Sequence, residues 1–186
     1  MVGAKQARFP EVYSKLTTEE LLQAYAAGPE RIRRVLAGLM DADLIARPRP
    51  GKWSIQEIAA HVTDSELIGA GRIRLTYAQP GGNLAFYNQD VWCQALGYQN
   101  FDSAGLDVIL QLFEALRATT ARIFRAANEE DWRKTGVHRE FGHVTLRHLL
   151  ELYADHSERH LEQILQIREL LGKPLQFPLL LKTRLY

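Results

Sequence analysis

Apolar and polar positions along the chain fall into four stretches with helical spacing, separated by segments rich in proline, glycine or aromatic residues. The first opens at Thr17-Thr18-Glu19-Glu20, where Thr17 can cap a helix and Glu20 can reach back, flanked by Leu16 and Leu21 as a hydrophobic staple. Leu21, Leu22 and Tyr25 begin its apolar face, and Ile32, Val35, Leu36 and Leu39 resume it after Gly28-Pro29, which predicts a helix with a kink or break. Arg47-Pro48-Arg49-Pro50-Gly51 reads as a connector, because each proline removes an amide donor and restricts the residue before it. Ser54-Ile55-Gln56-Glu57 repeats the capping pattern, with Trp53 and Ile58 as the staple. Ile55, Ile58, Ala59, Val62, Gly69 and Ile73 then trace one face of a long second helix that ends before Pro80-Gly81-Gly82.

Between Pro80 and Asp102 lie Phe86, Tyr87, Trp92, Tyr98 and Phe101, too apolar a set for a solvated linker, so this connection is expected to fold over the helices. Ser103 can cap a third helix carrying Leu106, Ile109, Leu110, Phe113, Leu116 and Ile123, with Asn128 capping a short turn behind it. Gly136 to Gly142 reads as a loop or small hairpin. Thr145 caps the last long helix, whose inward seam runs through Leu146, Leu150, Tyr153, Ser157, His160, Ile164, Ile167 and Leu171 until Gly172-Lys173-Pro174 stops it. The expected fold is all-α: an up-and-down four-helix bundle with a long aromatic-rich connection between its second and third helices. The apolar tail residues Leu175, Phe177, Leu179, Leu180, Leu181 and Leu185 need cover from the bundle or from a second subunit.

The chain's 186 residues suffice for a single domain with a full core. Lys+Arg 23 against Asp+Glu 22 gives a net charge of +1, with no global field to draw the chain onto nucleic acid or anionic lipid. The single cysteine, Cys93, excludes an intramolecular disulfide and any multi-cysteine metal site. With no apolar stretch behind Lys5 and Arg8 and no run long enough to cross a bilayer, a cytoplasmic protein is expected.

Histidine placement changes the picture most. His156 and His160 occupy the inward seam of the last helix, where apolar residues would ordinarily sit. Spaced i and i+4, they share one face about a turn apart, close enough for their nitrogens to converge on one cation. His61, on the second helix beside its buried stripe, can bring a third ring from a facing helix. Each histidine taken alone could be a core residue bonded to its own polar neighbour. Jointly, three burial costs need three separate partners or one divalent ion.

Pro50-Gly51-Lys52-Trp53-Ser54 leading into Ala60-His61-Val62-Thr63-Asp64-Ser65-Glu66, the aromatic segment around Trp92, and Gly142 to Leu146 leading into Tyr153-Ala154-Asp155-His156-Ser157-Glu158-Arg159-His160 together cover most of the chain. In these segments it resembles the DinB-like superfamily of four-helix bundles, and within it the YfiT-like metal-dependent hydrolases and bacillithiol S-transferases. The resemblance implies a metal triad at His61, His156 and His160, a divalent ion that is commonly nickel or zinc, and frequent homodimers. Related groups use low-molecular-weight thiols, among them a mycothiol-dependent maleylpyruvate isomerase and the bacillithiol transferases.

Three neutral imidazoles leave the ion's charge uncancelled and a position open, which is the catalytic pattern. The expected activity is a metal-dependent one in which a zinc or nickel ion activates water or a thiol such as bacillithiol toward a small-molecule substrate, as hydrolase or thiol S-transferase. The rival is a non-catalytic metal-binding or stress-response bundle. No general base is assigned. Asp64, Glu66, Asp155 and Glu158 can each orient a ligand or lie solvated, and solvation is the commoner case. Arg72, Arg74 and Arg147 can grip an anionic thiol cofactor or lie solvated on their helices, and solvation is the commoner case. His138, His143 and His148 read as loop and surface residues, although the resemblance carries a histidine near His138, which implies a substrate-pocket role as the alternative there. Tyr153, one turn before His156, can border the site or be an ordinary bundle-core tyrosine, the commoner case, and Cys93 reads as buried rather than nucleophilic.

Overall fold

In the computed structural model, which describes residues 15–181, four long helices carry the molecule: α1 (Thr18–Leu36), α3 (Ile55–Ala78), α5 (Ser103–Ala126) and α6 (Leu146–Leu170). Two short helices, α2 (Asp41–Ile45) and α4 (Gln89–Ala95), and a hairpin of β1 (Thr135–His138) and β2 (Gly142–Thr145) complete it. The long helices start where capping chemistry places them. Thr17 and Glu20 close a capping box on α1, and Ser54 and Glu57 close one on α3. On α6, Thr145 accepts from the His148 amide while His148 Nδ1 accepts from the Thr145 amide. The third long helix starts one residue earlier than expected, because Asp102 rather than Ser103 accepts from the Gly105 amide at 2.7 Å. None of the helices among the described residues is long and apolar enough to cross a membrane.

The four-helix bundle is present, but its path differs from the expected alternation. Thr18 meets Arg147 and Arg31 meets Glu158, so α1 runs parallel to α6. Thr63 donates to the Ile109 carbonyl and Arg74 reaches Thr120, so α3 runs parallel to α5. Arg33 pairs with Asp107 while Tyr25 packs on Phe124, making α1 and α5 antiparallel. His61 faces His156 while Arg72 reaches Tyr153, making α3 and α6 antiparallel. The helices therefore run up, down, down, up, with α1 diagonal to α3. Residues 79–102 permit this: they return along α3, whose 24 residues span roughly 36 Å at 1.5 Å each, before α5 begins.

Gly28-Pro29 does not break α1, which continues through it. Proline lacks the amide that would bond the Tyr25 carbonyl four residues earlier. Arg117 from α5 takes that carbonyl instead, at 2.6 Å. Gly28 supplies the room, since a Cβ there would lie 3.2 Å from both Arg117 Nη1 and Ser157 Oγ. Arg117 also donates to Glu66 at 2.7 Å and to the Tyr153 carbonyl at 2.7 Å, and Tyr25 donates its hydroxyl to Glu66. This buried knot joins all four long helices. Apolar clusters lie on either side of it, one around Leu21, Phe124 and Leu150, the other around Ile58, Phe113 and Ile164.

The aromatic connection folds over the bundle as expected, and contains α4, capped by Asn88. Its start pairs with the hairpin: the amides of Gly81 and Leu84 donate to the carbonyls of Thr135 and Val137, and the Val137 amide donates to Gly82. Gly136 seats the hairpin on the end of α3, because a Cβ there would come within 2.9 Å of Thr76 Oγ1. The bundle covers most of the tail through Leu181: Leu175, Phe177 and Leu179 pack on one cluster, Leu181 on the other, and Glu158 accepts from the Leu180 amide while the Leu180 side chain stays 50% exposed. Leu185 lies outside the described residues.

Candidate metal centre

The structure brings His61, His156 and His160 together. His61 Nε2 and His160 Nε2 each lie 3.2 Å from His156 Nε2, and the three ligand atoms fall within 4.8 Å of one another. The side of α3 that carries His61 faces α6, and one turn of α6 separates the other two rings. Trp53, just before the α3 cap, backs the cluster with its ring centroid 4.7 Å from that of His61. Burial holds all three imidazoles neutral. It pushes His61 down to about 2 and His160 to about 4, and sends His156 far below the ordinary histidine range, with the neighbouring imidazole of His160 adding to the effect on His61 and His156.

Hydrogen bonding among the rings cannot satisfy this arrangement. His160 Nδ1 faces the Gln163 amide oxygen at 3.0 Å, so it carries the ring's proton and leaves Nε2 as a bare lone pair. A proton on His156 Nε2 serves one of the two nitrogens facing it. His61 Nδ1 is buried without a hydrogen-bond partner among the described residues. A cation would use all three converging nitrogens at once, and the two separations from His156 Nε2, 3.2 Å each, match the edge of about 3.3 Å expected for a tetrahedron with bonds of about 2.05 Å, with all three atoms within 4.8 Å of one another. The residues present fit a divalent ion bound by three imidazoles.

His156 and His160 line a cavity of about 490 Å³ between α3, α6, the hairpin and the aromatic connection. Tyr153 borders it. The fit of its ring is tight: a Cβ on Gly69 would lie 2.4 Å from the Tyr153 ring.

Several other residues differ from expectation. Asp64 is half-buried and accepts the Tyr98 hydroxyl, and burial raises its carboxyl above the ordinary range. Glu66, Asp155 and Glu158 are buried and ion-paired to Arg117, Arg159 and Arg31 rather than solvated. Arg147 is tied to Glu151 and Thr18. Burial and neighbouring Glu57 push the Cys93 thiol up to about 11, in keeping with a buried, unreactive side chain. Two residues read as solvated belong to the cavity wall. Arg72 is 7% exposed, and His138 is 5% exposed. His143, by contrast, is exposed on β2.

Arg72 had a detectable signal. It follows His61 by eleven residues, which is three helical turns to within about 20°, so both point from the same side of α3. His138 had none in spacing or periodicity, since its place depends on the hairpin docking over the bundle, and only the family resemblance pointed to it.

Residues 24–164 match the family described as the DinB superfamily. A protein of Bacillus cereus (strain 03BB102) named "Putative metal-dependent hydrolase" is 24% identical over 164 residues, covering 86% of this chain and 92% of that one. A similarly named protein of Oceanobacillus iheyensis is 23% identical over 136 residues, 73% of this chain and 77% of its own. Among solved structures, YfiT from Bacillus subtilis, described as having an unusual four-helix bundle topology, superposes with a TM-score of 0.79 at 20% identity, covering 88% of this chain and 92% of that one. A mycothiol-dependent maleylpyruvate isomerase superposes with a TM-score of 0.65 at 15% identity over 82% of this chain and 62% of that protein.

Proposed function

The chain belongs to the DinB superfamily, and from that premise we propose that it is a metal-dependent enzyme in which His61, His156 and His160 hold a zinc or nickel ion at the wall of the cavity. The observation that carries this reading is the convergence of three neutral Nε2 atoms, from two helices, beside a cavity large enough for a small substrate. When bound, a divalent ion held by three imidazoles supplies Lewis acidity and makes a water or thiol reaching its open position acidic enough to act as a nucleophile near neutral pH.

The chain's own residues supply orientation and exclusion of water. Gln163 fixes the His160 tautomer, so that Nε2 is presented as a donor lone pair. Trp53 packs against His61 and stacks toward His160, shielding the cluster on that side. Tyr87, packed on Trp92 at 4.8 Å between centroids, lines the cavity together with Phe86, Asn88 and Gln89 of the aromatic connection. Hydrolysis and transfer to a low-molecular-weight thiol share this apparatus. The likeness in fold to a mycothiol-dependent isomerase supports including thiols such as bacillithiol among the candidates.

The test begins with metal content. After loading with zinc or nickel and desalting, the protein should retain one ion per chain and His160→Ala should retain little. Equal retention by the two would remove the ligand assignment. The loaded protein is then assayed with thiol and electrophile pairs and with esters. Turnover that disappears in His160→Ala supports the enzyme, whereas metal retention without turnover on either class favours a binding bundle.

A further inference from the structure

We propose that the cavity has a second pole, built by Arg72, Tyr153 and His138, that binds a carboxylate of the substrate or thiol; this rests on the reading of the cavity as a substrate site. Arg72 carries a permanent positive charge into a site where it is 7% exposed. Among the described residues no carboxylate lies within ion-pair distance of it, whereas the other buried arginines, Arg31 and Arg117, each pair with one and Arg168 caps backbone carbonyls. Its partners are neutral: Nε and Nη2 donate to the Ala85 carbonyl at 2.8 and 2.6 Å, and Nη1 donates to the Tyr153 hydroxyl at 3.0 Å. A guanidinium has five N–H groups. These bonds use three, leaving one on each terminal nitrogen at a residue that lines the cavity.

Its neighbours point to the same ligand. Tyr153 accepts from Arg72, so its own O–H proton remains available, and Tyr153 lines the cavity. His138 Nδ1 accepts the backbone amides of Glu140 and Phe141 at 3.2 and 3.4 Å, so the ring's proton sits on Nε2. Burial, and then the charge of Arg72, keep that ring neutral, pushed down to about 4. The wall thus offers one uncompensated cation with neutral donors beside it. The single acidic residue on the wall, Glu140, is exposed. An unpaired buried cation is costly, and a bound anion removes that cost. The two free N–H groups of a planar fork suit the paired oxygens of a carboxylate.

Spacing sets the ligand's shape. His61 and Arg72 share a face of α3, eleven residues and roughly 16 Å apart along its axis, while Tyr153 precedes His156 by less than a turn on α6. One ligand can therefore meet both, with its carboxylate at Arg72 and Tyr153 and its other end toward the histidines.

The experiment measures calorimetric binding to the full chain, at fixed ionic strength, of succinate, its neutral diamide and inorganic phosphate. Succinate should bind about tenfold or more tightly than the diamide, a contrast that needs no variant and is unaffected by folding defects. Arg72→Gln should abolish that preference and Tyr153→Phe should weaken succinate binding severalfold, each checked for wild-type circular dichroism. Equal binding of succinate and diamide, no succinate binding, phosphate binding more tightly than succinate, or an undiminished preference in Arg72→Gln would each overturn the proposal. His160→Ala separates the two readings. It should keep the succinate preference while losing zinc, so zinc retained by that variant removes the metal assignment without touching the carboxylate pole.

Discussion

Arg117 and Arg72 sit on facing sides of Tyr153, one donating to its carbonyl and the other to its hydroxyl, and both are buried. Around Arg117 every charge has its counterpart. Glu66 faces Nε, the carbonyl released by Pro29 takes Nη1, and the Tyr25 hydroxyl fills the remaining carboxylate oxygen. Around Arg72, among the described residues, the partners are neutral and no carboxylate is in reach, and one turn away on α6 three imidazole nitrogens converge. Two buried polar regions of similar depth thus differ in closure. A network that satisfies itself locks helices together, whereas one that ends in unmatched groups is complete only with a ligand.

The sharpest way to break the comparison is to open the closed network. Arg117→Met leaves the Glu66 carboxylate 1% exposed with only the Tyr25 hydroxyl, and should cost about 3–5 kcal/mol in urea unfolding. With the guanidinium gone, burial pushes that carboxyl further up, opposed only by the Tyr25 hydroxyl and the charge of Arg74, so the loss should be smaller at pH 5 than at pH 8. Adding Glu66→Gln removes the stranded charge and should recover much of the loss. Were Arg117→Met within 1 kcal/mol of wild type at pH 8, the knot would not be what joins the helices.

The contrast also explains what could be read in advance. Caps and apolar periodicity located all four long helices, because Thr17, Ser54 and Thr145 act within a few residues of themselves. The histidine triad was legible because i,i+4 spacing on α6 and a matching inward position on α3 are local properties too. The order in which helices pack was not, since it depends on how far residues 79–102 travel. Glu66 and Glu158 were misread for one reason: a charged residue on a helix is usually solvated, and only the partner across the bundle reveals otherwise. Pro29 looked like an interruption because its compensating donor lies on α5, far along the chain.

A smaller effect sharpens the comparison at Tyr153, which both arginines touch. Gly69→Ala places a methyl 2.4 Å from the Tyr153 ring, which is held on α6 and cannot retreat without disturbing its bond to Arg72. The expected cost is about 1–3 kcal/mol. Gly71→Ala, two residues on in the same helix, meets nothing within 4 Å and should stabilise by about 0.5–1 kcal/mol through helix propensity alone. Thermal unfolding of the two variants side by side checks this, and destabilisation of equal size at both positions would show that the tyrosine's seat is not the cause.

The smallest effect is one of slope and belongs to His138. Burial, followed by the charge of Arg72, pushes its folded pKa down to about 4, against about 6.5 in the unfolded chain. Between those values the unfolded state binds a proton that the native state does not, so the stability His138 contributes is complete above about pH 6.5 and is lost as pH falls toward 4. Replacing it by glutamine removes that dependence. The urea-unfolding free energy of wild type minus that of His138→Gln should therefore shrink from pH 7 to pH 5, by less than about 1 kcal/mol because the open cavity admits screening water. Arg72→Gln deletes the second cause of the depression, so the loss should end at a higher pH and be smaller. A difference that stays constant or grows as pH falls would mean that His138 takes up its proton in the folded protein as readily as in the unfolded one, and that the guanidinium does not act on this ring.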